Sequence, residues 1–315
     1  MAMKPLAVSV VIPTHNPHPL RFGQVLKALR QQTLPLEQWE LVIVDNASST
    51  PIELSADQAN DQPFLKLIRE PRLGLTTARW RGISEASAGL IVLVDDDNVL
   101  DPSYLEEVCR AFDRCPKLGA AGGKALPAYE VSPPPWFEEG AAPLGCRDLG
   151  NEEQIMDGSH YARQPAYPPF APIGAGMALR RSAVDSWLAT ALESPVTDRR
   201  GNSLSSAGDC DLVLHVLESG WSVGYVPSLS LTHLMAAGRV DPGYLEAISR
   251  AAYRDFIRVL DLHGLRPWSA IPGWSIPLRA LKAWFSYRVW SGPRERLRWQ
   301  SAIGQYEGRA SLLRR

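Results

Sequence analysis

The chain has 315 residues, with 33 Lys and Arg against 34 Asp and Glu, a net charge of −1, and 45% hydrophobic and 21% charged residues. These are values of a soluble globular protein with room for one large α/β domain or two small ones, and the charge balance argues against nucleic acid as a partner. Four cysteines (Cys109, Cys115, Cys146, Cys210) form neither a CxxC pair nor a Cys/His zinc spacing, so reduced thiols and a cytoplasmic setting are expected.

Met1 to Pro5 runs straight into a strand without a basic-then-apolar leader, and no 18 consecutive residues are apolar. The expectation is a protein that does not cross a membrane but can rest peripherally on its inner face. Val8 to Ile12 reads as a buried strand stopped by Pro13. A helix with Leu20, Val25, Leu26 and Leu29 on one face follows, and Glu40 to Val44 closes a βαβ unit, the opening of a parallel sheet. Leu65 to Ile68 is a short third strand, and Leu75 to Ser87 is a helix carrying Arg79 and Arg81.

Gly89 to Val94 is a strand buried on both faces that ends abruptly in Asp95, Asp96 and Asp97. Three adjacent carboxylates repel one another and resist desolvation, so basic side chains or a divalent cation belong beside them. Hard oxygen ligands favour Mg²⁺ or Mn²⁺, ions that also hold substrate phosphates. The alternative is a solvated turn in which Asp101-Pro102 caps the next helix. The first two strands also end in polar loops, Thr14-His15-Asn16 and Asp45 to Thr50. Ligands of open α/β sheets bind beyond the carboxyl ends of the strands, so this shared edge is the candidate site.

Pro102 to Cys115 reads as a helix, and Gly119 to Lys124 permits close backbone approach. Pro127 to Pro172, which includes Pro133-Pro134-Pro135-Trp136-Phe137, is too long and irregular for a simple connection and is expected to contact substrate. Ile173 to Leu179, containing Gly174, Ala175 and Gly176, reads as a strand, and Arg181 to Leu192 as a helix. The loop Thr197 to Ser203 leads to Gly208-Asp209-Cys210-Asp211-Leu212, which opens a helix. Asp209 then lies near a first turn whose amides favour an anion, whether as an N-cap or as a working carboxylate. Ser222 to Pro227 is another strand, followed by Leu231-Thr232-His233 and Arg239.

From Arg266 to Arg315 ten Lys/Arg face two Glu, and five of the ten tryptophans (268, 274, 284, 290, 299) lie there. Interleaved Trp and Arg suit amphipathic segments at an anionic membrane surface; packing on the domain or on another subunit of an oligomer is the alternative.

Five motifs occur in order: Val10-Val11-Ile12-Pro13-Thr14-His15-Asn16, Val44-Asp45-Asn46-Ala47-Ser48, Gly74 to Arg79, Leu93 to Asn98, and Gly208 to Leu212 with His233 beyond. Together they resemble family 2 glycosyltransferases of the GT-A fold, over residues 8 to about 240. The resemblance implies an α/β, Rossmann-like, mainly parallel sheet flanked by helices. Residues 1–124 would form its nucleotide-binding half and 125–240 its acceptor-binding half, with 241–315 a helical, basic, Trp-rich extension. It implies an inverting transferase that takes a nucleotide sugar, UDP-sugar foremost, and a divalent metal to a saccharide or lipid-linked acceptor, in polysaccharide or glycolipid assembly.

By the same resemblance Asp45 reads the base, Pro13, Thr14 and Asn16 line the nucleotide pocket, and Arg79 holds the Asp-rich turn. Asp97 is the direct metal ligand, Asp95 and Asp96 lie nearer the ribose and the metal shell, and His233 completes the metal or pyrophosphate site. Asp209 matches the general base. Lys124, Trp136, Gly174, Ala175, Gly176 and Asp211 are candidates for the acceptor or sugar side.

The chemistry suits these residue types independently, since sugar transfer needs charge stabilised on a departing diphosphate and a carboxylate to take the acceptor proton. Two positions on a helix are about 200° apart, so only one of Asp209 and Asp211 can face the sugar; the resemblance implies Asp209, which comes first in the loop-to-helix turn and matches the family position. The family pattern departs at Gly208, where Glu is usual, so the expectation is either weaker acceptor positioning or a role shared by Asp211 or an acid of the 127–172 loop. Two alternatives are a nucleotidyltransferase, although Pro13 to Pro17 is not a Gly-rich basic phosphate loop, and an inactive sugar-binding or scaffold protein, for which Gly208 is the support.

Overall fold

A computed structural model describes residues 5–54, 64–138, 140–195, 198–201 and 203–313. The readings that rest on Met1 to Lys4, Thr197 and Asn202 lie outside the described residues.

Strand β1 (Val8–Thr14) is buried along its whole length. It leads into helix α1 (Pro19–Arg30), which buries Phe22, Val25, Leu26 and Leu29 at the i, i+3, i+4, i+7 spacing of one helix face. Leu20, expected on that face, is 73% exposed because it sits two positions off the stripe that Phe22 heads. Strand β2 (Trp39–Asn46) is likewise fully buried and parallel to β1, with Thr14 opposite Asp45. β3 (Leu65–Glu70) adds in parallel to β2; helix α2 (Leu75–Glu85) then crosses to β4 (Leu90–Leu93), parallel to β1 on its other side. Four parallel strands therefore finish at one edge, where Thr14, Asp45 and the Asp95–Asp97 turn come together.

Beyond that turn β5 (Asn98–Leu100) precedes helix α3 (Tyr104–Arg114), and β6 (Leu118–Tyr129) follows. The 127–172 segment is more regular than its prolines suggest: β6 continues to Tyr129, and β7 (Gln154–Met156) and helix α4 (Gly158–Arg163) lie inside it. β8 (Ala178–Arg180) is shorter than expected, because Gly176 takes φ +69° and Ile173 to Met177 forms a loop. A 3₁₀ turn over Arg181–Ala183 and a short helix α5 (Asp185–Thr190) replace the single helix read from Arg181 to Leu192. Helix α6 (Gly208–Glu218), β9 (Ser222–Met235) and helices α7 (Pro242–Leu262), α8 (Ile276–Ser286) and α9 (Pro293–Ser311) complete the chain.

The sheet order is β3-β2-β1-β4-β8-β6-β9-β5, with β7 also on β9. It is parallel through β3, β2, β1 and β4, then mixed: β8 is antiparallel to β4 and β6, β6 and β9 are parallel, and β5 runs antiparallel to β9. The last pairing sets Asn98 opposite His233, which brings β9 to the Asp-rich turn. The close approach expected near Gly119 to Lys124 is present, since a Cβ on Gly123 would lie 2.1 Å from the Leu229 carbonyl oxygen.

Alternation along the strands feeds two core layers. Val8, Val10 and Ile12 pack with residues of α1 and α3, whereas Val11, Val42 and Val44 pack with α2, α6 and the end of α7. Val259 and Leu260 of α7 belong to this second layer, so the first helix beyond residue 240 shares the core of the preceding domain. α9 packs along α7 through glycines, a Cβ on Gly304 falling 2.2 Å from the Arg250 carbonyl oxygen.

Candidate active site at the carboxyl edge of the sheet

A cavity of about 470 Å³ opens at the edge where the parallel strands end, within the size range of ligand sites. Its lining joins residues far apart in the chain: Pro13 and Thr14 after β1, Arg79 of α2, the three acids of the turn, Gly174 and Ala175, Asp209, and His233 with Arg239. Ten of the residues singled out in the sequence for donor, metal, acceptor or base thus meet at one site.

The acids differ in their surroundings. Thr14 Oγ1 donates to Asp96, which is nevertheless pushed up to about 6, chiefly by burial, with Asp97 and Asp95 adding to the rise. Burial also pushes the Asp95 carboxyl up, against the pull of the Arg79 guanidinium 3.6 Å away. Asp97 is held below the ordinary carboxylate range despite its burial, because His233 Nε2 lies 3.4 Å from Oδ1 and Arg239 lies 3.9 Å from Oδ2. Burial disfavours charge on His233 too, yet Asp97 and Cys146 raise it to about 10, and its Nδ1 lies 3.3 Å from the Gly145 carbonyl oxygen.

The donor set suits Mg²⁺ or Mn²⁺. Asp95 and Asp96 are part-buried acids that desolvation pushes toward their neutral forms, and a divalent cation beside them would offset that cost. Asp97, Asp95 and His233 are the residues that could hold it, His233 only after giving up the proton that Asp97 favours.

Asp209 is the second residue of α6, and its carboxylate is held by backbone: Oδ2 accepts from the Gly174 amide at 3.1 Å and Oδ1 from its neighbour Cys210 at 2.9 Å. The loop that replaced the expected strand at Ile173 to Met177 is what delivers the Gly174 amide. Gly174 also has to be small, since a Cβ there would fall 2.5 Å from the Arg79 guanidinium.

The model for glycosyl transferase family 2 matches residues 9–188, more than half of the chain. This chain belongs to glycosyl transferase family 2. It is 24% identical over 155 residues to a glucosyl-dolichyl phosphate glucuronosyltransferase of Haloferax volcanii, covering 48% of this chain and 49% of that one. It is 32% identical over 106 residues to a validoxylamine A glucosyltransferase of Streptomyces hygroscopicus subsp. jinggangensis, covering 33% and 25%. The chain therefore spans about half or less of these curated relatives. Among solved structures it resembles S. aureus TarS 1–349 in complex with UDP-GlcNAc, with TM-score 0.54 and 16% identity over 82% of this chain and 65% of that one. GalNAc-T7 with UDP, GalNAc and Mn²⁺ gives TM-score 0.54 and 15% identity over 82% and 48%. Both likenesses are of fold, the GT-A fold.

Several expected site residues of this family 2 chain lie elsewhere. Asp45 sits under the loop after β2, where it accepts from the amides of Ser48 and Ile52 and pairs with Arg69 at 3.0 Å, so it braces that loop from beside the cavity. Asn16, with φ +50°, ties the first loop to the second through Ser48 and Ser49 and does not line the cavity. Lys124 of β6 reaches Asn151 and Asp148 in the loop before β7 and does not line the cavity. Trp136 stacks edge-on against Phe137 beside a small apolar cluster, and the Gly176 carbonyl accepts from the buried Tyr104 hydroxyl. The 127–172 segment does reach the cavity, but through Pro143 to Cys146.

Asp211 is on the opposite side of α6 from the cavity, accepting from the Trp187 indole at 3.1 Å and lying 3.1 Å from His263. The carboxylate that stands beside Gly208 is instead Asp198, which the sequence reading passed over. A Cβ on Gly208 would fall 2.6 Å from Asp198 Oδ2, so the two features are matched: the small residue makes room for an acid arriving from another loop. Asp198 pairs with Arg79 at 3.0 Å and is raised to about 6 by burial. Its only sequence signal was a lone Asp among Arg199 and Arg200, which local pattern does not distinguish from a solvated loop.

Proposed function

We propose that this chain is an inverting, metal-assisted glycosyltransferase that moves a sugar from a nucleotide sugar, a UDP-sugar foremost, to a hydroxyl acceptor. The observation that carries the reading is the convergence, in one cavity of a family 2 chain, of the Asp95–Asp97/His233 cluster with Asp209 on a separate element. The structures of like fold, TarS with UDP-GlcNAc and GalNAc-T7 with UDP, support the choice of donor.

In this reading Pro13 and Thr14 line the nucleotide end, and Asp45 keeps the loop after β2 in shape for the base. Arg79, charged despite its burial because Asp95, Asp198 and Asp209 surround it, fixes the Asp-rich turn. Mg²⁺ or Mn²⁺, when held by Asp97, Asp95 and His233, supplies positive charge for the diphosphate. The acceptor oxygen bonds to the anomeric carbon as the bond from that carbon to the phosphate oxygen breaks, which inverts the centre. Its proton passes to the Asp209 carboxylate, oriented by the Gly174 amide, and the nucleoside diphosphate departs with the electron pair. Gly174 and Ala175 lie beside Asp209 for the sugar and acceptor.

The acceptor is proposed to be saccharide or lipid-linked, and α8 supports a membrane setting. Trp274 in the turn before α8 and Leu278, Leu281 and Phe285 along it recur every three or four residues and are all more than half exposed, with Arg279 and Lys282 exposed among them and Arg288 just beyond. Such a basic, apolar stripe fits peripheral contact with an anionic surface. Among the described residues no helix is long and apolar enough to cross a membrane.

The test is a panel of nucleotide sugars incubated with the protein and Mn²⁺ or Mg²⁺, reading release of nucleoside diphosphate and transfer to added glycan or lipid acceptors. At least one donor should turn over in wild type and fail with Asp209→Asn. Turnover without added metal, or equal turnover by the variant, would overturn the assignment.

A further inference from the structure

Opposite the cavity, α6 carries a second cluster of ligand-type side chains that the transfer reaction does not use. Asp211 and His215 are four residues apart and so share one face of the helix. His263 immediately follows α7 and meets them from the C-terminal segment. Among the described residues, one ligand atom from each of Asp211, His215 and His263 lies within 4.8 Å of the others. We propose that these three residues form a zinc site that staples α7 to the helix bearing Asp209.

The donor set is one carboxylate oxygen and two imidazole nitrogens, the mixed N/O set that borderline cations such as Zn²⁺ prefer, and unlike the oxygen-rich cluster in the cavity. His263 Nε2 stands 3.1 Å from Asp211 Oδ1. Two ligands of a tetrahedral Zn²⁺ with bonds near 2.0 Å stand about 3.3 Å apart, so this pair needs little movement. The surroundings also do what a metal shell requires. The Trp187 indole N–H holds the other Asp211 oxygen at 3.1 Å, and the Glu218 carboxylate meets His263 Nδ1 at 2.9 Å. A carboxylate on the far nitrogen keeps Nε2 free to point at the metal and raises its basicity. The His215 and His263 rings are perpendicular, 86° apart with centroids at 5.0 Å, which lets both present a nitrogen to a common point without stacking. Asp211 and His263 are largely shielded from water, while His215 is half-buried and leaves a way in.

The site would tie the start of the C-terminal helices to the helix that positions the proposed base, without itself touching substrate. It does not depend on the proposed transferase activity, and its test reads metal directly. The metal-stripped full chain carrying Asp97→Ala, which disables the cavity cluster, is titrated with ZnCl₂ by calorimetry, and with Co²⁺ by visible absorption. One equivalent should bind, Co²⁺ should give the intense d–d bands of a tetrahedral site, and the melting temperature should rise with Zn²⁺. Adding His215→Ala, a change at a half-buried position, should weaken Zn²⁺ at least tenfold and abolish the thermal shift; His263→Gln should do the same. Absence of bound metal in the Asp97→Ala protein, or undiminished affinity after His215→Ala, overturns the proposal and leaves the cluster as an ion pair in which a proton on His263 joins the two carboxylates.

Discussion

Asp209 and Asp211 lie two residues apart on α6, and the two sides of that helix are built differently. On the cavity side Asp209 is held by the backbone amides of Gly174 and Cys210, and the neighbouring part-buried acids Asp95 and Asp96 are raised chiefly by desolvation. On the other side Asp211 is clasped by side chains, the indole of Trp187 and the imidazole of His263. Amides orient a carboxylate without neutralising it, so it can still accept a proton. A carboxylate enclosed by an indole and an imidazole is a fixture. The difference teaches that in this helix exposure to chemistry is decided by which face a residue takes, not by residue type.

The sharpest way to break this comparison is to exchange the two acids for amides. Asp209→Asn keeps shape while removing the proton acceptor, so kcat should fall by roughly 10² to 10⁴ with donor affinity preserved. Asp211→Asn should leave kcat within about twofold and lower the melting temperature, because a buried partner of two side chains is lost. Steady-state kinetics and thermal melts on both variants decide it; a reversal of the two phenotypes would put the base on the wrong face.

Asp97→Ala probes the acid cluster. Loss of the carboxylate proposed to hold the metal should weaken metal-dependent nucleotide binding by roughly 10- to 100-fold in calorimetry, with little change in EDTA. Equal affinity with Mn²⁺ for variant and wild type would remove Asp97 from the metal site.

Asp96 gives the pH counterpart. Its folded value of about 6 exceeds the usual 3.8, so the stability it contributes is complete below about pH 3.8 and is lost as pH rises through 6. Above that range Asp96→Asn should therefore be more stable than wild type by on the order of 2–3 kcal/mol in EDTA, and the gain should shrink toward pH 4. Denaturant unfolding at pH 4 and 8 checks it; a variant less stable than wild type at pH 8 would show that the acid is adequately paired.

The smallest effect concerns the helices beyond α6. Removing everything from Trp268 is a poor test, because α9 buries Leu297, Ala302 and Ile303. Leu278→Glu with Phe285→Glu instead alters two exposed positions and should lower binding to anionic vesicles about tenfold while sparing nucleotide binding. Binding should also weaken with salt. If wild type ignores such vesicles at low salt, the stripe has another role.

Much of this was legible beforehand because it is written in local pattern. Runs such as Val8 to Ile12 and Leu90 to Val94 read as strands buried on both faces, and their carboxyl ends mark the site edge. The Asp-rich turn and Thr14 were found from such signals, Arg79 and Asp209 from the motif resemblance, and all of them line one cavity. The misses have physical causes. Ile173 to Met177 has strand-like apolar residues, but a positive φ at Gly176 and the demand of Arg79 for space at Gly174 override them. Trp136 and Lys124 looked functional by type and were claimed by neighbours that sequence does not place.

By itself, then, the sequence determined the four parallel strands β1 to β4, which of their ends carry acids, and that the helix after Gly208 could turn only one of two carboxylates toward a ligand. Those properties depend on residues within a few positions of one another, through side-chain period and backbone preference. Only the tertiary structure decided that Asp198 occupies the space beside Gly208, that β9 pairs with β5 to set His233 against Asp97, and that His263 reaches back to Asp211 and His215. Each of these joins residues from separate elements, and their meeting is set by sheet order and helix packing, which no local pattern encodes.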